Sequence, residues 1–260
     1  MNLKKFLAST TASVCLLASV STFAGVSTPT ADPTKNFNPD QVREIQKIVH
    51  DYLLQDPQLM VQVLQKLQDQ QHQTMEKNTL KAIHANSKEL FDSTTSPVIG
   101  NKNGSVTMVE FFDYQCPHCK EMAKVVEDYT KQDKNLKIIF KEFPIFPGST
   151  YAAQAALAAN MQGKYFELHN ALMAEKNPLT EESVLAAAKR VGLNIAKMKK
   201  DMESDSVKNE LKQNLELAEK LGLAGTPAFV IQSNADKDKT FFVPGQVSMQ
   251  KLQDLIKKAA

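Results

Sequence analysis

Two cysteines separated by two residues stand where a predicted strand runs into a predicted helix, at Cys116-Pro117-His118-Cys119. The segment before them, Val106–Phe112, is nearly all apolar, as is typical of a strand that is covered on both faces. Pro117 suits the first turn of a helix, where its missing N–H removes no hydrogen bond. A chain that passes from a buried strand directly into a helix is expected to form an α/β fold in which helices cover a sheet.

The amino terminus has the features of an export signal. Two lysines, at positions 4 and 5, precede a short apolar run, and Thr22-Phe23-Ala24 places small residues three and one positions before a cleavage point. A membrane anchor is the alternative, but a spanning helix needs roughly 20 apolar residues, and this run is shorter and contains Ser and Thr. We therefore expect residues 1–24 to be removed and the mature protein to be periplasmic.

Cleavage changes both the charge and the cysteine count. It removes two lysines from a chain with a formal net charge of +2, so the mature chain is neutral and nothing in it attracts nucleic acid. It also removes Cys15 and leaves Cys116 and Cys119 as the only cysteines. A disulfide between such close neighbours constrains the unfolded chain only slightly, so this pair in an exported protein indicates reactivity rather than bracing.

A helical region follows the signal. Residues 25–37 are small, polar and proline-containing, which predicts a flexible tether. Asn38 can then cap a helix, Pro39 suits its first position, and Gln41 can complete a capping box. Apolar residues at helical spacing continue with few interruptions, so we predict a helical dimerisation region at 38–93, as one long helix or two collinear ones.

The apolar stripe of this region needs a partner surface, because isolated helices are marginal in water. The stripe can fold back on the following domain, or it can pair with the same segment of another subunit. The long polar second half favours pairing between chains. We therefore expect a homo-oligomer, a dimer before a trimer.

The remaining chain, residues 94–260, is predicted to form one α/β domain. A hairpin-like pair of strands at 98–99 and 106–112 is expected around the turn at 100–104. An Ala-rich stretch at about 148–222 predicts an inserted subdomain of four or five helices. The other predicted elements are a helix that begins at the cysteine pair and ends at about residue 131, strands at 136–143, 226–231 and 241–243, and a terminal amphipathic helix from Ser248.

A Cys-x-x-Cys sequence at the start of a helix can perform disulfide chemistry. Residues three apart on a helix have Cβ atoms about 5 to 6 Å apart, so a disulfide can close and open with little backbone motion. The positive end of the helix favours a thiolate on the first sulfur, and His118 adds a donor beside it. We expect Cys116 to be the exposed attacking sulfur and Cys119 the resolving one.

A structural disulfide and a metal site are the alternatives for the pair. Zinc normally takes three or four protein ligands, and the chain has no second cysteine pair. We expect no metal and no cofactor. Four histidines show no ligand spacing with the pair and are interpreted as ordinary surface or core residues: His50, His72, His84 and His169.

Two segments resemble the DsbA-like thiol-disulfide oxidoreductases of the thioredoxin superfamily: Glu110-Phe-Phe-Asp-Tyr-Gln-Cys-Pro-His-Cys and Gly225-Thr-Pro-Ala-Phe. The resemblance spans about residues 97–260 and implies a thioredoxin fold. It implies that Pro227 is cis and faces the disulfide, with Thr226 presenting backbone groups to a bound peptide; an ordinary strand-start proline is the alternative. It also implies that Glu110 passes protons to and from the resolving cysteine, against the alternative of an ordinary strand glutamate.

The helical region at 38–93 departs from simple DsbA oxidases and resembles the oligomerisation arms of Com1-like, ScsC-like and DsbC-like proteins. The resemblance implies an exported oxidoreductase that introduces disulfides into unfolded or misfolded exported proteins, with isomerisation as a second candidate activity. A mixed disulfide would form at Cys116, Cys119 would resolve it, and Pro117 and His118 would tune the pair. The redox partner would be a membrane protein of the DsbB or DsbD type.

Two other functions stay open from the sequence. The first is an isomerase or reductase that a membrane electron donor keeps reduced. The second is a non-enzymatic, chaperone-like surface protein in which the disulfide only braces a loop.

Overall fold

The computed structural model describes residues 36–260, so the predicted export signal and most of the predicted tether lie outside the described residues. The chain divides into two compact units, one that ends at Gln65 and one that comprises Lys66–Ala260. The helices of the described part are α1 (Pro39–Gln55), α2 (Pro57–Ala85), α3 (Ser87–Phe91), α4 (Pro117–Gln132), α5 (Ser149–Asn160), α6 (Tyr165–Met173), α7 (Glu181–Arg190), α8 (Ile195–Met202), α9 (Asp205–Lys220) and α10 (Met249–Ala259). The strands are β1 (Val98–Gly100), β2 (Val106–Phe112), β3 (Leu136–Glu142), β4 (Ala228–Ser233) and β5 (Thr240–Pro244).

The five strands form one sheet in the order β1-β3-β2-β4-β5. β2 lies at its centre, parallel to β3 and antiparallel to β4, and all seven of its residues are buried. This explains its nearly continuous apolar sequence, because a central strand with both faces covered has no solvent side. The predicted α/β class is confirmed, and the two last strands, β4 and β5, pair antiparallel.

The predicted hairpin is wrong, because β1 pairs with β3 rather than with β2. β2 already pairs with β3 along one edge and with β4 along the other, so neither edge is free to pair with β1. The turn instead packs against the start of β3, where Asn101 donates its backbone N–H to Leu136 at 2.9 Å. Gly100 permits this approach, since it has φ +77° and a Cβ there would meet the Leu136 oxygen at 2.4 Å.

The helices pack on the sheet as amphipathic layers. α4 begins with Pro117 in its first turn, and its apolar side joins one buried cluster with Met108 and Phe112 of β2. Five helices, α5 to α9, lie between β3 and β4, where the sequence predicts four or five. Eight residues of α5 are buried, six of them alanines, and such small side chains let neighbouring helices approach closely.

The N-terminal helices differ along their length. α1 carries the predicted capping box, in which Asn38 and Gln41 bond each other's backbone N–H groups, but none of its residues is buried. Farther along, within the second compact unit, Ile83, Leu90 and Phe91 join a second cluster on the opposite face of β2 from α4. The end of the predicted arm is therefore part of the core of the α/β domain.

Candidate functional site

The cysteine pair lies at the start of α4, with Cys116 as the N-cap residue. The Cys116 N–H donates to the Asp113 carbonyl oxygen at 3.2 Å, which closes the turn that leads into the helix. No side chain of the N-cap residue bonds the first N–H groups of α4. The sulfur of Cys116 therefore lies at the positive end of the helix dipole. Both cysteines are free thiols.

The loop before β4 meets this helix start. The Thr226-Pro227 bond is cis, in agreement with the prediction. The Cys116 thiol donates to the Thr226 carbonyl oxygen at 3.3 Å, and the Gly245 N–H donates to the Pro227 carbonyl oxygen at 2.8 Å. Residues 110 positions apart in sequence are thus brought into contact.

The two sulfurs are less accessible than the sequence predicts. Cys116 is only 2% exposed, so the expectation of an exposed attacking sulfur is wrong for this structure; its contact with the Thr226 carbonyl covers it from the side of the loop. Cys119 is completely buried. Burial is the main cause that raises the pKa of the Cys119 thiol. The second sulfur therefore holds its proton more firmly than a free cysteine does.

Glu110 lies in the middle of β2, and 1% of it is exposed. Met108, Glu110 and Phe112 are two residues apart along the strand, so their side chains point to the same face of the sheet. This is the face on which α4 and the cysteines pack. Neither carboxyl oxygen has a hydrogen-bond partner among the described residues, so Glu110 is not bonded to Cys119. Burial raises the pKa of Glu110 to about 8, which makes it a neutral acid over most of the physiological range.

His118 lies exposed in the first turn of α4 next to the equally exposed Pro117. Its Nδ1 atom is 2.7 Å from Oε1 of Gln246, and Nε2 of Gln246 donates to Oε2 of Glu121 at 2.5 Å. Sequence reasoning missed Gln246 and Glu121, because an exposed glutamine in a loop and a glutamate on a helix carry no signal of this contact.

Asp113 organises the other side of the cysteine turn. Its carboxylate accepts four hydrogen bonds, from the N–H groups of Gln115 at 2.6 Å, Ile145 at 2.7 Å and Phe146 at 2.9 Å and from the Ser149 hydroxyl at 2.5 Å. The side chains of Ile145 and Phe146 remain about two-fifths exposed. Asp113 thus ties two exposed apolar side chains to the segment that leads into Cys116.

A largely apolar groove of about 290 Å³ adjoins the cis-proline. Thr226 and Pro227 line it together with neighbours from the preceding loop and from β5, namely Leu223, Ala224, Gly225, Ala228, Phe242, Pro244 and Gly245. An extended peptide beside the cis-proline would find apolar walls here, as is usual for a binding groove.

A second buried polar group lies behind the site, and the sequence did not point to it. The hydroxyls of Tyr114 and Tyr165 donate to Oε1 of Glu142 at 3.0 and 2.8 Å, and the Tyr114 hydroxyl lies 3.3 Å from Nδ1 of His169. Burial raises the pKa of Glu142 well above its ordinary value and lowers the pKa of His169 to about 3. His169 is thus a neutral core histidine, in agreement with its interpretation from the sequence as an ordinary surface or core residue.

The described residues show neither a metal cluster nor a membrane span. Among residues 36–260, no three His, Cys, Asp or Glu side chains lie together in a way that could hold a metal ion. Within the same residues, no helix combines the length and the apolarity that a crossing of the bilayer requires.

The chain matches two family profiles. The profile of the DSBA-like thioredoxin domain matches residues 107–257, more than half of the chain. The profile of the Copper resistance protein ScsC N-terminal domain matches residues 41–73, which cover most of α1 and the first part of α2. The first match includes the cysteine pair and the cis-proline.

Solved structures are similar over both regions. The crystal structure of BcfH from Salmonella enterica Typhimurium is 31% identical with a TM-score of 0.71, over 85% of this chain and 96% of that one. A linker-deletion variant of ScsC from Proteus mirabilis is 30% identical with a TM-score of 0.64, over 86% and 96% of the two chains. The predicted thioredoxin fold and its resemblance to ScsC-like proteins are confirmed.

Curated relatives match over shorter segments. The thiol:disulfide interchange protein DsbA of Bordetella parapertussis is 26% identical over 159 residues, which are 58% of this chain and 74% of that protein. Na⁺/H⁺ antiporters NhaA from Salinispora tropica and Salinispora arenicola are 26% identical over 143 residues. This chain spans 22% of the length of these antiporters.

Proposed function

We propose, for a chain that belongs to the DsbA-like thioredoxin domain family, that it introduces disulfides into exported proteins through a mixed disulfide at Cys116. The observation that carries the proposal is the contact between the Cys116 sulfur and the Thr226 carbonyl beside cis-Pro227. It puts the reactive sulfur next to backbone groups and an apolar groove that an extended substrate segment can occupy.

In the proposed oxidation, a substrate thiolate attacks Cys116 in the Cys116–Cys119 disulfide. The bond between the two protein sulfurs breaks, and Cys119 leaves with the electron pair and takes a proton. A second substrate thiolate then attacks the substrate sulfur of the mixed disulfide, and Cys116 leaves as a thiolate. Two electrons thus pass from the substrate dithiol to the protein, and a membrane disulfide carrier of the DsbB type would reoxidise it.

The two cysteines would also act when the reaction runs in reverse, as a reduction of a substrate disulfide. In that direction Cys119 attacks Cys116 and so resolves the mixed disulfide. Its thiol must then lose a proton, although burial raises its pKa. Glu110 faces the same side of the sheet and, with a pKa of about 8, can accept or supply that proton. We therefore propose Glu110 as the proton relay, through an intervening water because it has no direct bond to the cysteine.

The N-terminal arm favours isomerisation as a second activity. α1 leaves an apolar stripe exposed, with Ile48 at 59% and Leu54 at 68% exposure, and such a stripe is stabilised by pairing with a second copy. An oligomer, a dimer in the first instance, would present several Cys116 sites to one misfolded chain. A DsbD-type donor would then keep the pair reduced.

A single-turnover assay tests the main proposal. The oxidised protein, residues 25–260, is mixed with a reduced, unfolded substrate, and the loss of substrate thiols is followed by alkylation and mass shift. We expect rapid oxidation by the wild type, none by Cys116→Ser, and an accumulated mixed disulfide with Cys119→Ser. Normal turnover by Cys116→Ser would contradict the mechanism and favour the non-enzymatic alternative.

Thiol trapping in cells separates the two directions. If the pair is mostly disulfide in the exported protein, the oxidase role holds. If it is mostly dithiol, the isomerase or reductase role replaces it, and a mixed population means that both operate.

A further inference from the structure

A chain of three polar side chains lies beside the first turn of α4, and nothing in the proposed reaction accounts for it. Nδ1 of His118 is 2.7 Å from Oε1 of Gln246, whose Nε2 is 2.5 Å from Oε2 of Glu121. His118 and Glu121 belong to α4, whereas Gln246 lies between β5 and α10. The preceding residue, Gly245, is bonded to the Pro227 carbonyl oxygen at 2.8 Å, so this glutamine is held by the cis-proline loop.

The chemistry of the three groups fixes where the hydrogens are. A carboxylate only accepts hydrogen bonds, so the NH₂ group of Gln246 must face Glu121. The amide oxygen then faces His118, and because this oxygen also only accepts, Nδ1 of His118 must carry a hydrogen. In the neutral ring the second nitrogen, Nε2, is then the one without a hydrogen.

We infer that Gln246 is a positioning residue that holds His118 in its Nδ1–H form and orients its ring beside Cys116. The inference rests on the proposed function, since it concerns how the cysteine pair is tuned. An acceptor polarised by the carboxylate of Glu121 stabilises the doubly protonated, positively charged ring more than the neutral ring. A positive charge at the start of α4 stabilises the Cys116 thiolate, and so makes the disulfide the stronger oxidant.

The imidazole tautomer of His118 tests the inference without reference to activity. Long-range ¹H–¹⁵N correlation spectra of the ring are recorded for the protein of residues 25–260, at a pH at which the ring carries one proton, and His118→Asn identifies its signals. We expect the Nδ1–H form in the wild type and a shift of population to the Nε2–H form in Gln246→Leu. An unchanged tautomer in Gln246→Leu would overturn the inference.

Two further variants make the test specific. Gln250 is also exposed and also donates its Nε2 to a carboxylate, that of Asp254 at 2.8 Å, but on α10; Gln250→Leu should leave the His118 signals unchanged. Glu121→Gln removes the group that fixes the amide orientation, so we expect a second, Nε2–H population there even if Gln246→Leu does not fold. A single Nδ1–H population in Glu121→Gln would contradict the inference.

The redox consequence is measured by equilibrium with glutathione. We expect Gln246→Leu to lower the equilibrium constant for reduction of the Cys116–Cys119 disulfide about two- to fivefold, the range for an exposed charge at a helix end, and Gln250→Leu to leave it unchanged. A changed tautomer with an unchanged constant would overturn the redox part of the inference. If the wild type fails to oxidise any substrate, the proposed function falls while the tautomer result stands.

Discussion

Two helices of this protein begin with a proline in the first turn and carry an apolar stripe, yet they are used differently. α1 starts at Pro39 behind a capping box, and its stripe remains exposed. α4 starts at Pro117 behind Cys116, which supplies no capping hydrogen bond, and its stripe is buried against the sheet. The start of α1 is thus built for helix stability, whereas the start of α4 leaves its N–H groups free to stabilise a thiolate.

The largest effect is expected from substitution of Cys116, which is both the N-cap residue of α4 and the proposed attacking sulfur. Cys116→Ser should lower the rate of dithiol oxidation by about 10³-fold or more, because the sulfur that forms the mixed disulfide is lost. The serine hydroxyl can also cap α4, so the free energy of unfolding of the variant should be about 0.5 to 2 kcal/mol higher than that of the reduced wild type. Stopped-flow oxidation and urea unfolding measure the two effects, and a less stable variant would contradict the capping argument.

The face of the sheet under α4 can be tested through Glu110. Its pKa is raised from 4.5 to about 8, so the folded state retains a proton that the unfolded state has lost, and the stability from this group declines as pH rises from about 4.5 to 8. The loss reaches up to about 5 kcal/mol. Glu110→Gln should remove this decline in unfolding free energy, whereas the exposed Glu219→Gln should keep it. An equally steep decline in Glu110→Gln would show that Glu110 is not the titrating group.

The N-terminal helices provide a matched pair of isoleucines. Ile83 is fully buried in the second cluster, so Ile83→Ala should lower the free energy of unfolding by about 2 to 5 kcal/mol. Ile48 is 59% exposed, so Ile48→Ala should change it by less than about 0.5 kcal/mol and instead weaken self-association. Calorimetry and light scattering separate the two outcomes. A strongly destabilised Ile48→Ala at monomeric concentration would show that α1 is covered within one chain.

Truncation tests where the arm ends. Deletion of residues 25–65 should give a folded monomer that oxidises dithiols and no longer reshuffles disulfides. Deletion of 25–93 also removes Ile83, Leu90 and Phe91 from the core, so this product should fail to fold stably. Light scattering and near-ultraviolet circular dichroism compare the two products. A monomeric full-length protein would contradict the role of the arm in assembly.

The smallest effect is expected at the cap of α1. Asn38 accepts the Gln41 N–H at 2.9 Å, and Asn38→Ala should lower the stability of that helix by about 1 kcal/mol. The redox equilibrium of the cysteine pair should not change. A shift in that equilibrium would show that the two helix starts are coupled.

Much of this architecture could be predicted from the pattern of residues. The apolar β2, the helix start at Pro117, the helices of the Ala-rich stretch and the start of the last helix at Ser248 rest on local rules that act within a few residues. The prediction of a hairpin was wrong because a strand can pair only along a free edge of its neighbour. Which edges are free depends on the order of all the strands in the sheet. The burial of Cys116 was missed for the same reason, because the covering carbonyl comes from a distant loop.

The sequence by itself determined that the chain has a Cys-x-x-Cys pair at a helix start, an amphipathic N-terminal region and the Thr-Pro peptide. These follow from residue type and short-range spacing. Only the tertiary structure decided that Asp113 binds the neighbouring loop, that Gln246 faces His118, and that Ile83 belongs to the core while Ile48 does not. Such contacts join residues far apart in the chain, and a side chain's partner depends on which surfaces the fold brings together.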